Sequence, residues 1–224
     1  MQIPIAINDS HRIALEEIAG PGTWLDGQTR NQVLLESRHA SNCLLCQSRS
    51  KALSPYAIKG SHDNVSDLPA GYIEVIHRIS NDSGRLTQSW FKQVTEELSA
   101  EVYIEILGIV ACGVIIDTFA TGTGRPLPAP QQHRNGAPTR VSNPNVIDKG
   151  AWLPILDVSL EPSDTGLPST PNIARAMGLV PSAIDLFFKV MRNHYRLVNL
   201  AFDLSRSQTE MLAARVSSLN QCFY

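Results

Sequence analysis

Two of the four cysteines in this 224-residue chain stand close together, as Cys43-Leu-Leu-Cys46. Cysteines three positions apart share a helical face, so one sulfur can react as a thiolate while the other closes a disulfide with it. The alternative is a pair of small buried hydrophobic side chains without chemistry. A structural zinc ion needs two more ligands, and neither His39 nor His62 completes a recognised zinc spacing. We therefore expect a redox pair, with no metal and no cofactor.

The end of the chain resembles the region around this pair. Placing Cys222 on Cys43, an offset of 179 positions, also aligns hydrophobic residues upstream of the two cysteines. A repeat of this kind predicts two related helical units. The aligned hydrophobic pairs are Leu204 with Leu25 and Leu212 with Val33.

The second copy stops early. Its last residue, Tyr224, falls on Leu45, one position before the counterpart of Cys46. Three explanations stay open: a fragment, an interrupted reading frame, or a selenocysteine codon read as a stop. A fragment is the simplest of the three.

Glu210 and Cys222, twelve positions apart, match the first two elements of a known redox motif. In that motif a glutamate is followed by eleven residues, Cys-x-x-Cys, three residues and a histidine. With the repeat, this spacing resembles the AhpD-like superfamily, which includes alkylhydroperoxidase-related proteins and carboxymuconolactone decarboxylases. The resemblance implies an all-α helical bundle, usually oligomeric, with Cys43, Cys46, Glu210 and Cys222 as catalytic residues.

The first copy departs from this motif. Asn31 stands where the glutamate is expected, and Ser50 where the histidine is expected. His39 and Glu36, four and seven positions before Cys43, could replace the missing proton relay, because both can face the cysteine on a helix.

Two further side chains receive structural interpretations. Cys112 lies in an apolar run and is expected to be an inert core residue. His77 is expected on the polar face of its helix.

Proline divides the chain into three zones. Residues 125–171 hold nine of the fourteen prolines and predict a long irregular connection, with one short strand at Trp152–Leu160. Residues 1–124 are predicted to form one AhpD-like helical unit, and residues 172–224 the incomplete N-terminal helices of a second. Hydrophobic periodicity and capping residues predict helices at about 10–18, 28–40, 43–53, after Pro69, 85–98, from Ser99 to about 121, from Pro181, and from Ser205.

Composition restricts the function. The formal net charge is −2 without a basic run, which disfavours nucleic-acid binding. The longest apolar stretch, within Ile104–Ile116, is shorter than the roughly 20 residues of a membrane span. The first residues carry no secretory signal, so a cytoplasmic location without membrane attachment is expected.

The resemblance to AhpD-like proteins implies an alkylhydroperoxidase-like thiol peroxidase with peroxiredoxin-type activity. Its substrate is a small hydroperoxide, an unidentified thiol reductant restores it, and it assembles as a homo-oligomer. Two alternatives stay open: a non-catalytic helical oligomerisation module of the same superfamily, and a carboxymuconolactone decarboxylase-like enzyme.

Overall fold

The structure, a computed structural model, describes residues 3–158, 170–195 and 203–219. This part is mainly α-helical, as the sequence predicts, and an AhpD-like arrangement of the helices stays a prediction. Besides short 3-10 turns it holds nine α-helices and one antiparallel two-stranded sheet: α1 (Ile5–Ile18), α2 (Gly27–His39), α3 (Leu44–Lys51), α4 (Ala70–Asp82), α5 (Gln88–Glu97), α6 (Ala100–Gly122), β1 (Val146–Ile147), β2 (Ile155–Leu156), α7 (Asn172–Ala176), α8 (Pro181–His194) and α9 (Arg206–Leu219).

Helix α6 lies at the centre of the fold. Ser99 caps it by accepting a hydrogen bond from the Val102 amide at 3.3 Å, and Glu101 lies in the first turn. Helices α2, α4 and α8 pack around it. By length and composition α6 could cross a membrane, but 61% of its most apolar window is buried inside the protein. That burial is typical of a core helix.

Helices α6 and α8 are in close contact at Gly108. A Cβ atom at this position would lie 2.8 Å from the Cβ of Ala183 and 3.2 Å from its Cα. Helix α8 also packs on α1. Its buried residues belong to the same hydrophobic core as those of α6. The predicted division of the chain into two units stays a prediction.

The proline-rich segment contains no α-helix in its described residues, up to 158, yet it is attached to the helices. The Arg134 amide donates to the Ala19 carbonyl at 2.7 Å, and the Arg140 amide donates to the Thr23 carbonyl at 2.8 Å. The strand expected at Trp152–Leu160 is present in part, as β2, and Leu160 lies outside the described residues.

Helix α9 begins where the repeat predicts. Asp26 caps α2 by accepting from the Thr29 amide at 2.8 Å, and Ser205 accepts from the Gln208 amide at 3.3 Å. The two caps are 179 positions apart, and so are the first residues of α2 and α9. Gln208 also accepts from the Ser205 amide at 2.9 Å, as expected for a capping box. The structure thus agrees with the repeat at the start of α9, and the rest of the predicted second unit stays a prediction.

Two histidines join α1 to α8. Their Nε2 atoms, on His11 and His194, are 2.8 Å apart, and the edge of each ring meets the ring of Phe119 on α6. One nitrogen must donate and the other accept, so the two rings cannot both be protonated in this arrangement. Burial, followed by the charges of His194 and Arg125, lowers the pKa of His11 from 6.5 to about 4.

Close packing at Gly108 predicts opposite effects for two matched substitutions in α6. Gly108→Ala is expected to lower the free energy of unfolding by about 1–2 kcal/mol, because separating α6 from α8 outweighs the better helix propensity of alanine. A Cβ atom at position 122 would have open space around it. Gly122→Ala is therefore expected to raise the free energy of unfolding by up to about 1 kcal/mol. Urea unfolding curves test this, and equal effects at both positions would contradict the close contact.

The depressed pKa of His11 predicts sensitivity to acid. The folded protein resists a proton that the unfolded chain takes up below pH 6.5, so stability falls between pH 6.5 and about pH 4. We expect this loss to reach at most about 3 kcal/mol. His11→Gln should flatten the curve of unfolding free energy against pH in that window. His133→Gln, at an exposed histidine, should leave the curve unchanged. Parallel curves for wild type and His11→Gln would disprove the assignment.

Candidate functional site

A break between α2 and α3 positions the cysteine pair. A 3-10 turn at Ala40–Asn42 ends α2, and Cys43 is extended, with ψ of 123°, before α3 begins. The amide of Leu44, the first residue of α3, donates to Asp63 Oδ2 at 2.9 Å. Cys43 is therefore the N-cap residue of α3, where the helix dipole favours a thiolate, and Cys46 lies in the first turn.

Two histidines from different elements contact these cysteines. His62 lies in the loop before α4, and its Nδ1 is 3.4 Å from both sulfurs. His77 lies on α4, and its Nδ1 is 3.4 Å from the sulfur of Cys46. The four donor atoms all lie within 4.8 Å of one another.

A carboxylate stands behind each histidine. Nε2 of His77 is 3.2 Å from Glu36 Oε2, and Nε2 of His62 is 2.8 Å from Glu74 Oε2. An ionised carboxylate only accepts hydrogen bonds, so we assign the ring proton to Nε2 in both histidines. Each Nδ1 then presents a lone pair to sulfur. The site thus contains two chains of carboxylate, imidazole and thiol.

Glu36 is fully buried and is held by several donors. One oxygen accepts from the Val65 amide at 2.8 Å and the Ser66 hydroxyl at 2.6 Å, while the other faces His77. Burial alone would raise the pKa of Glu36, but the hydrogen bonds from Ser66, His77 and Val65 lower it. The side chain is therefore a buried carboxylate.

Glu74 is held by cations and an indole. Arg49 donates to it at 2.9 Å, Arg78 at 3.2 Å, and the indole nitrogen of Trp90 at 3.1 Å. Burial opposes ionisation, but the hydrogen bonds from His62 and Arg49 bring the pKa of Glu74 far below its usual range. Glu74 therefore carries the negative charge that holds His62 in place.

The two thiols differ in acidity. Burial alone would raise the pKa of Cys43, but hydrogen bonds from the Cys46 amide and from His62 bring it below its usual value. Burial, followed by the charge of Cys43, raises the pKa of Cys46 to about 12. Cys43 is therefore the more acidic thiol of the pair.

A cavity of about 520 Å³ lies beside the site, and His62 is one of its lining residues. Both cysteines are buried, with exposed fractions of 0% for Cys43 and 6% for Cys46, and neither of them lines this space. Its charged and aromatic lining includes Arg49, Tyr56, Lys59, Glu74, Arg78 and Trp90.

Of the other predicted catalytic pair, the structure describes only Glu210, whose contacts lie away from this site. Glu210 lies on α9, where it accepts a hydrogen bond from the Tyr195 hydroxyl at 2.9 Å and pairs with Arg206 at 2.8 Å. Cys222 lies outside the described residues. The catalytic roles of Glu210 and Cys222 therefore stay predictions.

Three interpretations of single residues can be compared with the structure. Glu36 does face the cysteine region, but its partner is His77 rather than His39. Placing His77 on a polar helix face was wrong, because the side chain is fully buried. Cys112 is confirmed as a core residue, with full burial and a pKa raised by that burial to about 12.

His62 and His77 were missed as partners of the cysteines because they lie 16 and 31 positions beyond Cys46. No local spacing signals these contacts, because the carboxylates that pair with the two histidines, Glu74 with His62 and Glu36 with His77, lie 12 and 41 positions away.

Comparison of the chain with protein-family models, with curated proteins and with solved structures finds no significant match in any of the three. The resemblance to AhpD-like proteins thus stays a prediction from the motif spacing.

The buried contacts of Glu36 predict different costs for two substitutions. Glu36→Ala leaves the Val65 amide, the Ser66 hydroxyl and His77 without their acceptor, so we expect the free energy of unfolding to fall by about 3–5 kcal/mol. Glu36→Gln keeps one acceptor oxygen and the volume, and should cost about 1–2 kcal/mol. Glu96→Ala, at an exposed position, should change stability by less than about 0.5 kcal/mol. Chemical denaturation tests the order, and equal losses for all three variants would contradict it.

Proposed function

We propose that Cys43 and Cys46 form a thiol–disulfide site that reduces a small hydroperoxide, an alkylhydroperoxidase-like activity. One observation carries the proposal: each sulfur lies 3.4 Å from an imidazole nitrogen whose opposite ring nitrogen faces a carboxylate. General acid–base chemistry at sulfur needs such an arrangement, because a proton must leave the thiol and another must reach the leaving oxygen.

Cys43 is the attacking residue. Its place at the amino end of α3 stabilises the thiolate, and Nδ1 of His62 accepts the thiol proton. Glu74 stabilises the imidazolium that forms, through the 2.8 Å contact with Nε2. The peroxide reaches the site from the neighbouring cavity, which His62 lines.

The first step oxidises sulfur and reduces peroxide. The Cys43 thiolate attacks the terminal oxygen of the hydroperoxide, an S–O bond forms and the O–O bond breaks. The alkoxide leaves with the electron pair and takes the proton from His62, giving an alcohol. Cys43 is left as a sulfenic acid.

The second step closes the disulfide. Cys46 transfers its proton to Nδ1 of His77, whose charge Glu36 balances, and attacks the sulfenic sulfur. Hydroxide leaves Cys43 and receives that proton as water. An external dithiol then returns two electrons and two protons, which restores both thiols and forms the disulfide of the reductant.

Peroxide treatment of the reduced full chain tests this function. We expect mass spectrometry of tryptic peptides to show an intramolecular Cys43–Cys46 disulfide. In Cys46→Ser, oxidation should stop at a Cys43 sulfenic acid that a dimedone probe traps. Cys43→Ser should no longer react rapidly with the peroxide. His62→Gln should slow it by about 100-fold or more, because it removes the proton carrier.

Cys112→Ala serves as the control, since Cys112 is a core thiol away from the site, and should react at the wild-type rate. The proposal fails if Cys43 and Cys46 remain reduced under peroxide that oxidises a free thiol in solution.

A further inference from the structure

We propose that, in the reduced protein, Cys43, Cys46, His62 and His77 bind one Zn²⁺ ion with tetrahedral geometry. The donors come from the start of α3, the loop before α4, and α4 itself. They form a Cys₂His₂ set, which is a donor combination of structural zinc sites.

The distances fit a single ion. Zinc lies about 2.3 Å from sulfur and about 2.0–2.1 Å from nitrogen, which places tetrahedral sulfur and nitrogen ligands about 3.6 Å apart. Three such distances in the site are 3.4 Å: from Nδ1 of His62 to both sulfurs, and from Nδ1 of His77 to Cys46. Small movements of the side chains would complete the coordination.

The ring orientations fit as well. A histidine that binds zinc commonly donates its other ring N–H to a carboxylate or a carbonyl, which fixes the tautomer and the ring plane. Glu36 and Glu74 stand at those positions behind His77 and His62. Both Nδ1 lone pairs therefore point toward the space between the sulfurs before any ion arrives.

Burial and charge favour a divalent ion. Two thiolates in a buried site repel each other, and one Zn²⁺ neutralises both of them. Sulfur and imidazole donors select zinc over magnesium or calcium, which prefer oxygen ligands. Glu74 is already paired with Arg49 and Arg78, so its charge is balanced outside the ion's ligand set.

Zinc would also regulate the proposed peroxide chemistry, and this part of the inference rests on the proposed function. A sulfur bound to zinc is held about 3.8 Å from its partner, whereas a disulfide needs about 2.05 Å. The metal and the disulfide therefore exclude each other. Two zinc-bound thiolates, one hydroperoxide and two protons yield the disulfide, free Zn²⁺, an alcohol and water.

Zinc titration of the full chain, reduced and freed of metal by a chelator, tests the site. We expect one Zn²⁺ per chain in native mass spectrometry and in competition with a chromophoric chelator. His77→Gln and Cys43→Ser should each weaken zinc binding at least 100-fold. His133→Gln, at an exposed histidine, should bind zinc as the wild type does.

A second measurement does not depend on the folding of variants. X-ray absorption of the zinc-loaded wild type should show two sulfur and two nitrogen ligands, and Co²⁺ in its place should give the visible spectrum of a tetrahedral thiolate site. The site is disproved if wild-type protein binds no zinc at one per chain, if the ligands are mainly oxygen, or if folded His77→Gln binds as tightly as wild type.

Peroxide then separates the two proposals. Zinc-loaded protein should form the Cys43–Cys46 disulfide at least 10-fold more slowly than metal-free protein, with release of Zn²⁺ that a fluorescent indicator detects. Zinc binding without any disulfide in the metal-free protein would support the metal site and contradict the proposed peroxidase activity. A disulfide without zinc binding would support the peroxidase activity and contradict the metal site. Equal oxidation rates with and without zinc would overturn the regulation.

Discussion

The buried contact between Glu36 and His77 is the interaction on which the site depends. A carboxylate and an imidazole that are both fully buried are costly unless each is hydrogen-bonded, and here the Val65 amide and the Ser66 hydroxyl complete the set. The contact joins α2 to α4 and fixes which ring nitrogen faces Cys46. Local stability and the chemical character of the site therefore come from the same hydrogen bonds.

Glu74 performs the corresponding task at the surface side of the site. Its carboxylate accepts hydrogen bonds from Arg49, Arg78, Trp90 and His62. The bond from His62 holds the loop that carries this histidine against α4. The two histidines differ in their exposure to the cavity, because His62 lines it while His77 is fully buried. His62 can therefore be reached from the cavity, whereas His77 is closed to solvent.

Much of the fold could be predicted from the sequence. Helices α2, α4 and α6 follow from local signals: the Asp26 and Ser99 caps, the proline before α4 and the apolar period. Helix α1 begins at Ile5, earlier than the expected 10–18, directly after Pro4. The cysteine spacing indicated a site, but its histidines are brought to it by the packing of a loop and of α4, which no local pattern encodes. The packing of α8 on α6 was missed for the same reason, since it depends on a close approach at Gly108.

The two cysteines, the two histidines and the carboxylates that face those histidines all come from one continuous stretch of the chain, from Glu36 to His77. The contacts within it join residues 12 to 41 positions apart, so the centre is complete only when α4 and the loop before it have packed against α2 and α3. A shift of α4 against α2 and α3 therefore moves His77 relative to the two sulfurs, so the packing of these helices sets the geometry of the centre.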